Sequence, residues 1–226
     1  GTSRLTFYPG IQYRHLAVFR DPALKEDLLK TTCFPPHDIM GWKISEHWPK
    51  GPAAKTLIDL MEKSRPLLES QEVNQVRIDL KENPGNMIWL WGQGTALKIP
   101  TFEERWGITG CVISAVDLVK GAGRLAGLEG LEGEGATGYY DTNYLGKAEA
   151  ALKNLKKNDF AFVHVEAADE AGHNGDLRQK IIAIENFDSK IVGTILKGLK
   201  AYKNYRVLVI PDHLTLVSKR SHVADP

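Results

Sequence analysis

Two short stretches combine carboxylates with imidazoles at spacings that suit a bound ion. In HVEAADEAGH, residues 164–173, Asp169 and His173 stand four apart, so one helical turn or a compact loop can present a carboxylate oxygen and an imidazole nitrogen to the same ion. Asp212 and His213 follow RVLVI and Pro211 directly, and His222 comes nine residues after His213. Carboxylate and imidazole donors without thiolate suit Mn, Zn, Co or Fe, with Mg also accommodated. Two neighbouring ions suit phosphoryl transfer, because they polarise phosphoryl oxygens, neutralise their charge and lower the pKa of a bound alcohol. Either pair by itself reads as surface-loop polarity; the two together, each at the end of an apolar run, point to a metal centre.

The elements that must position these residues follow from hydrophobic pattern. From residue 101 onward strand and helix signals alternate. CVIS and FAFVHV read as strands, as does RVLVI, and helices are expected from Val116, over 145–155 and over 179–202. The last helix carries Ile184, Phe187, Ile191, Ile195 and Leu199 on one face. This alternation predicts an α/β sheet with helices on both faces, and strand ends are where ligands gather in such sheets. Upstream, residues 7–19 read as two short strands around Pro9 and Gly10. Residues 31–52, broken by Pro35, Pro36, Gly41, Pro49, Gly51 and Pro52, read as a loop carrying Trp42 and Trp48. Leu57, Ile58, Met61 and Leu68 predict a helix over 53–68 that Pro66 should kink or end. MIWLW, residues 87–91, reads as a buried strand running into the GQG turn. The seven glycines of residues 121–138 do not read as a phosphate loop, since Gly121, Gly123 and Gly127 have GxGxxxG spacing and interrupt a helix.

Composition narrows the partners. The 29 Lys and Arg balance 28 Asp and Glu, giving a net charge of +1, without the basic excess of a nucleic-acid or membrane-surface binder. A local anion pocket is compatible with this balance. Apolar runs of five or six residues are far short of the roughly 20 that span a bilayer, and no secretory signal is visible. Cys33 and Cys111 are far apart and form no CxxC, which fits a reduced, cytoplasmic protein. The length of 226 residues suits one or two domains. Both ends read as abrupt, so the chain is expected to be a piece of a longer protein.

In order along nearly the whole chain, LTFYPGIQYRHLAVF, PPHDI, IWLWGQG, TFEERWGITGCVISAVDLVKG, GATGYYDTNYLGKAEAAL, FVHVEAADEAGHNGD and PDHLT with SHVADP resemble the archaeal-type cofactor-independent phosphoglycerate mutases, which also occur in bacteria. The resemblance implies an alkaline-phosphatase-like α/β core that binds two divalent metals, plus part of an inserted smaller α+β domain. Residues 1–100 would be that substrate-binding cap and its linker, and residues 101–226 the metal-binding core, truncated at both ends. Asp169, His173 and His222 match the ligands of one ion, and Asp212 with His213 those of the second. The implied reaction interconverts 3-phosphoglycerate and 2-phosphoglycerate through a phosphoserine, without free 2,3-bisphosphoglycerate.

The departures are as specific as the matches. In the family the nucleophilic serine and a further metal-binding Asp lie in an N-terminal segment with a DGxGD-like strand end, which has no counterpart here. Ser45, Ser64 and Ser70 fall in a loop or helix and Ser218 and Ser221 in the final loop, so none matches the nucleophile. The isolated chain is therefore expected to be inactive, at most binding metal or phosphoglycerate weakly. Hydrolysis of phosphate or sulfate esters is an alternative chemistry for the same metals. PDHLTL also replaces the more usual DH with Ser or Pro, then Thr-Pro, while retaining both ligands. Three residues are candidates for substrate binding: Arg14, whose guanidinium can pair bidentately with a carboxylate or phosphate, Gln93 in WGQG, and Lys147 in YLGKAEAAL. His15 reads as packing or surface, and Glu166 and Asp176 as outer-shell neighbours of the metal motif.

Overall fold

The computed structural model describes residues 4–10, 15–39, 41–131 and 133–223. It divides into two compact units, Gly1–Ala96 and Leu97–Pro226. Among the described residues no helix is long and apolar enough to cross a membrane.

In the first unit, β1 (Leu5–Tyr8) and β2 (Leu16–Phe19) pair antiparallel, as their aromatic and β-branched composition predicts; the connecting residues 11–14 lie outside the described set. Helix α1 (Pro22–Leu29) starts with Pro at its first position and Asp21 as cap, both favourable where backbone N–H groups lack helical partners. Residues 31–52 form the expected loop, with two short 3-10 turns at Pro36–Ile39 and Ile44–Glu46. Helix α2 (Ala54–Glu69) buries Leu57 and Met61, and α3 (Glu72–Asp79) follows. Pro66 does not stop α2, contrary to expectation. It stands in the last turn, where only one main-chain bond is forfeited, and the carbonyl of Pro66 still accepts from Ser70 N at 3.3 Å.

Among the described residues MIWLW is not a strand. Residues 87–91 make no ladder and are fastened instead by side chains: Ser64 Oγ accepts from Ile88 N at 3.0 Å, and Trp89 Nε1 donates to the Phe34 carbonyl at 2.7 Å. Trp48 and Trp89 stack with centroids 5.5 Å apart. The apolar run serves to cover the long loop.

The second unit is the expected α/β sheet. Short helix α4 (Phe102–Trp106) opens with a Thr101–Glu104 capping box. Strands β3 (Gly110–Ile113), β4 (Glu129–Leu131) and β5 (Phe160–Val163) form a parallel sheet in the order β4, β3, β5. Alternation along the buried central strand separates its two faces. Val112 meets α5 (Asp117–Leu125), where a Cβ on Gly123 would come within 2.4 Å of Val112 Cγ1. Cys111 and Ile113 pack on the other face against Ala151 of α6 (Tyr144–Asn154). Glycine inside α5 is thus a packing residue that lets helix and strand approach.

Helices α7 (Ala167–His173) and α8 (Leu177–Asn186) lead into a π-helical stretch, Phe187–Val192, and then α9 (Gly193–Leu199). The π stretch changes the sequence expectation of one uniform apolar face. Ile191 and Leu199 are buried, but Ile184 is 53 % exposed and Ala183 takes the inward position. The wider turn shifts the helix phase by about one residue upstream. RVLVI, residues 206–210, is likewise not a strand among the described residues: it has no ladder partner, and Leu208 is 80 % exposed. A final antiparallel hairpin, β6 (Leu214–Leu216) and β7 (Ser221–Val223), closes the described chain.

Candidate metal centre

The site is assembled from a short helix and a hairpin. Helix α7 begins just after β5 and puts Asp169 and His173 one turn apart, with His173 Nε2 3.4 Å from Asp169 Oδ2. Its small residues Ala167, Ala171 and Gly172 are buried, so the polar side chains are left for the open face. The hairpin adds the other imidazoles. His213 immediately precedes β6, and His222 on β7 lies opposite Thr215 in the ladder. Close approach of helix and hairpin requires Gly172, since a Cβ there would stand 2.7 Å from the Thr215 carbonyl oxygen. Arg220, in the hairpin turn, adopts φ +52°, a left-handed conformation uncommon for a residue with a Cβ, and aims its carbonyl at His173 Nδ1, 3.1 Å away.

Asp169 is the hub. His222 Nε2 lies 3.3 Å from its Oδ1 and His213 Nδ1 3.9 Å from the same oxygen. Ligand atoms of Asp169, His213 and His222 all fall within 4.8 Å of one another, and His173 Nε2 is 3.0 Å from His222 Nε2. The remaining sequence candidate, Asp212, sits at the edge: its Oδ2 is 3.5 Å from His213 Nε2, and its side chain is 71 % exposed against 22 % for Asp169.

Proton accounting shows that the donors fit a metal. A carbonyl only accepts, so the contact with Arg220 requires His173 to carry its proton on Nδ1. Its Nε2 lone pair then points at His222 Nε2 and the Asp169 carboxylate. His222 Nε2 meets that lone pair either as an N–H donor or with a cation between the two, and Asp and His without thiolate are donors for borderline to hard divalent ions.

Lys147 and His164 line the neighbouring strand-end region. Lys147, on α6, is 1 % exposed and donates from Nζ to the His164 carbonyl at 3.1 Å. Burial lowers its pKa from 10.5 to about 8, opposed by the nearby Glu166 charge. The His164 ring is also depressed by burial, with Asp212 and Asp169 pulling it upward. Its Nδ1 lies 3.2 Å from the hydroxyl of Ser114, itself buried at the end of β3, and that hydroxyl accepts from Val116 N at 3.0 Å.

The other sequence candidates fall elsewhere. Gln93 belongs to the first unit and uses its side-chain amide on the Thr31 carbonyl. Arg14 lies outside the described residues. Asp176 has a local duty: Oδ1 accepts from Gln179 N at 2.9 Å and caps α8. Sequence reasoning passed over Ser114 and Thr215; both are single hydroxyls whose spacing carries no periodic signal, although they lie in the recognised segments CVIS and PDHLT.

Similarities to known proteins run along the whole chain. It is 51% identical over 227 residues to the 2,3-bisphosphoglycerate-independent phosphoglycerate mutase of Methanosarcina barkeri, covering 100% of this chain and 56% of that protein. It is 47% identical to the probable enzyme of the same name from Geobacter sulfurreducens, covering 100% of this chain and 55% of the relative. The chain thus spans about half the length of the curated relatives it matches. Among solved structures, the PH0037 protein from Pyrococcus horikoshii superposes with TM-score 0.61 at 30% identity, over 75% of this chain and 44% of that one. The cofactor-independent phosphoglycerate mutase from Thermoplasma acidophilum shares the fold at TM-score 0.51 and 21% identity, over 90% of this chain and 51% of its own. Residues 11–226 match the family model described as Metalloenzyme superfamily, and the chain belongs to this family.

Proposed function

We propose that this chain is the cap and metal-binding core of a longer 2,3-bisphosphoglycerate-independent phosphoglycerate mutase. The enzyme would be a cytoplasmic isomerase of glycolysis and gluconeogenesis that interconverts 3-phosphoglycerate and 2-phosphoglycerate. The carrying observation is the gathering of Asp169, His213 and His222 ligand atoms within 4.8 Å of one another, with His173 Nε2 3.0 Å from His222 Nε2, in a chain about half identical to such mutases throughout.

Asp169, His173 and His222 would hold one divalent ion, and Asp212 with His213 would contribute to a second; manganese, zinc, cobalt and magnesium are compatible with these donors. Ions so held neutralise phosphoryl charge and lower the pKa of an alcohol. The chain's own residues do the rest. Lys147 keeps a proton at neutral pH, since its pKa stays near 8, and so offers a buried ammonium to a phosphoryl oxygen. Arg14, whose guanidinium can pair with a carboxylate or phosphate, and Gln93 are proposed as substrate-binding residues of the cap.

The phosphoryl acceptor would be a serine outside these residues. Ser64, Ser70 and Ser189 give their hydroxyl protons to carbonyls of their own helices, and Ser114 is held between His164 and Val116 N. In the reaction the bond from phosphorus to the 3-oxygen breaks as a bond to the serine Oγ forms, the glycerate turns, and the 2-oxygen takes the phosphoryl group back. Free 2,3-bisphosphoglycerate is not required.

Product analysis on the full-length protein tests the reading. With 3-phosphoglycerate, the expected product is 2-phosphoglycerate, detected through enolase. Release of inorganic phosphate without 2-phosphoglycerate would instead identify an ester hydrolase. The 226-residue chain alone is expected to turn over neither.

A further inference from the structure

We infer that Thr215 is a positioning residue for the cluster: its hydroxyl orients the Asp169 carboxylate and fixes which nitrogen of His213 remains free to bind an ion. The inference rests on the cluster being a metal centre.

Thr215 is 4 % exposed and touches both ligands. Its Oγ1 donates to Asp169 Oδ1 and lies 3.3 Å from His213 Nδ1. A threonine hydroxyl has one proton and two lone pairs, whereas an ionised carboxylate only accepts. The single proton therefore goes to Asp169, and toward His213 the hydroxyl can act only as an acceptor. His213 must then carry its proton on Nδ1. That leaves the Nε2 lone pair free, on the side where Asp212 Oδ2 lies 3.5 Å away. One hydroxyl thus orients the Asp169 carboxylate and selects the tautomer that turns His213 Nε2 toward Asp212.

The surroundings hold Thr215 against rotation or retreat. Lys180 Nζ donates to its carbonyl, the ladder sets it opposite His222, and Gly172 lets its backbone press against α7. A residue serving only to fill the space would be replaced by valine with little effect, because valine has the same shape and lacks only the hydroxyl.

The test uses the full-length protein with Thr215→Val and Thr215→Ser, zinc ion as the probe, and two readouts that need no turnover. Calorimetric titration is expected to show zinc affinity falling ~10–100-fold in T215V, the usual effect of removing a partner that orients a metal ligand, and staying within about 3-fold in T215S. Side-chain ¹⁵N spectra of histidine-labelled wild type are expected to show His213 protonated on Nδ1, and T215V to lose that preference. A folded T215V that binds zinc within 2-fold of wild type would overturn the assignment, as would a wild-type His213 protonated on Nε2. If T215V does not fold, the wild-type tautomer and the T215S affinity decide. A wild type that binds zinc but yields no 2-phosphoglycerate contradicts the mutase reading, whereas equal zinc affinity in T215V contradicts this one.

Discussion

His173 Nε2 and His222 Nε2 lie 3.0 Å apart although 49 residues separate them in sequence. The contact joins the end of α7 to β7 and is steered from behind by the Arg220 carbonyl, which holds His173 by its other nitrogen. Two imidazole nitrogens this close, beside a carboxylate that each can also reach, form a site whose parts repel unless a proton or a cation is shared. The electrostatic cost of an unfilled site is the physical reason for expecting metal and stability to be linked. Removing metal with a chelator is therefore expected to lower the unfolding temperature of the full-length protein, and restoring zinc or manganese to recover it. A transition unmoved by chelator would speak against the linkage.

Lys147 gives a pH dependence. In the folded chain its proton leaves near pH 8, whereas the unfolded side chain keeps it to 10.5. Between these values the unfolded state binds more protons, so stability should rise as pH climbs through that window, and below it the buried ammonium is a constant cost. Phosphate binding has the opposite trend, because it needs the charged form. Turnover is expected to decline as pH passes about 8, and Lys147→Met to lose most activity while flattening the alkaline rise in stability. A pH–rate profile level to pH 10 would exclude the ammonium role.

Gly123 tests the packing of the sheet that carries the site. An added methyl would meet Val112 Cγ1 at 2.4 Å and Val112 Cβ at 2.9 Å, and Val112 is buried in the central strand. Gly123→Ala is expected to destabilise by ~1–3 kcal/mol in urea unfolding, the range for overpacking a close-packed core. An unchanged midpoint would mean that α5 can move away freely.

Asp176 separates a capping role from a metal role. Because its carboxylate caps α8, Asp176→Ala should cost about 1 kcal/mol of stability with metal content retained, and Asp176→Asn should recover most of the loss. Metal lost from D176A without loss of stability would return Asp176 to the metal shell.

What could be read beforehand follows a physical divide. Asp169 and His173 could be singled out because four-residue spacing on a helix is a local property, whereas Asp212 and His213 were singled out as following a strand that RVLVI does not form among the described residues. The alternation that gives β3, α5, α6 and β5 is also local. RVLVI and MIWLW were misread for a shared reason: apolar β-prone residues favour extended chain, but a strand exists only where a second strand accepts its hydrogen bonds, and no local signal reports the partner. The inward turn of Ala183 in place of Ile184 depends on a π stretch that no ideal 3.6-residue pattern contains. Thr215 and Ser114 were silent because a buried hydroxyl acquires its role from the groups that tertiary structure brings to it.

Bound metal in purified full-length protein, wild type against His173→Ala, is the most direct test of the centre on which the functional reading stands. Elemental analysis is expected to show divalent metal in the wild type and a clear loss in H173A, accompanied by loss of 2-phosphoglycerate formation. Metal content in folded H173A equal to that of the wild type would contradict the assignment of the cluster.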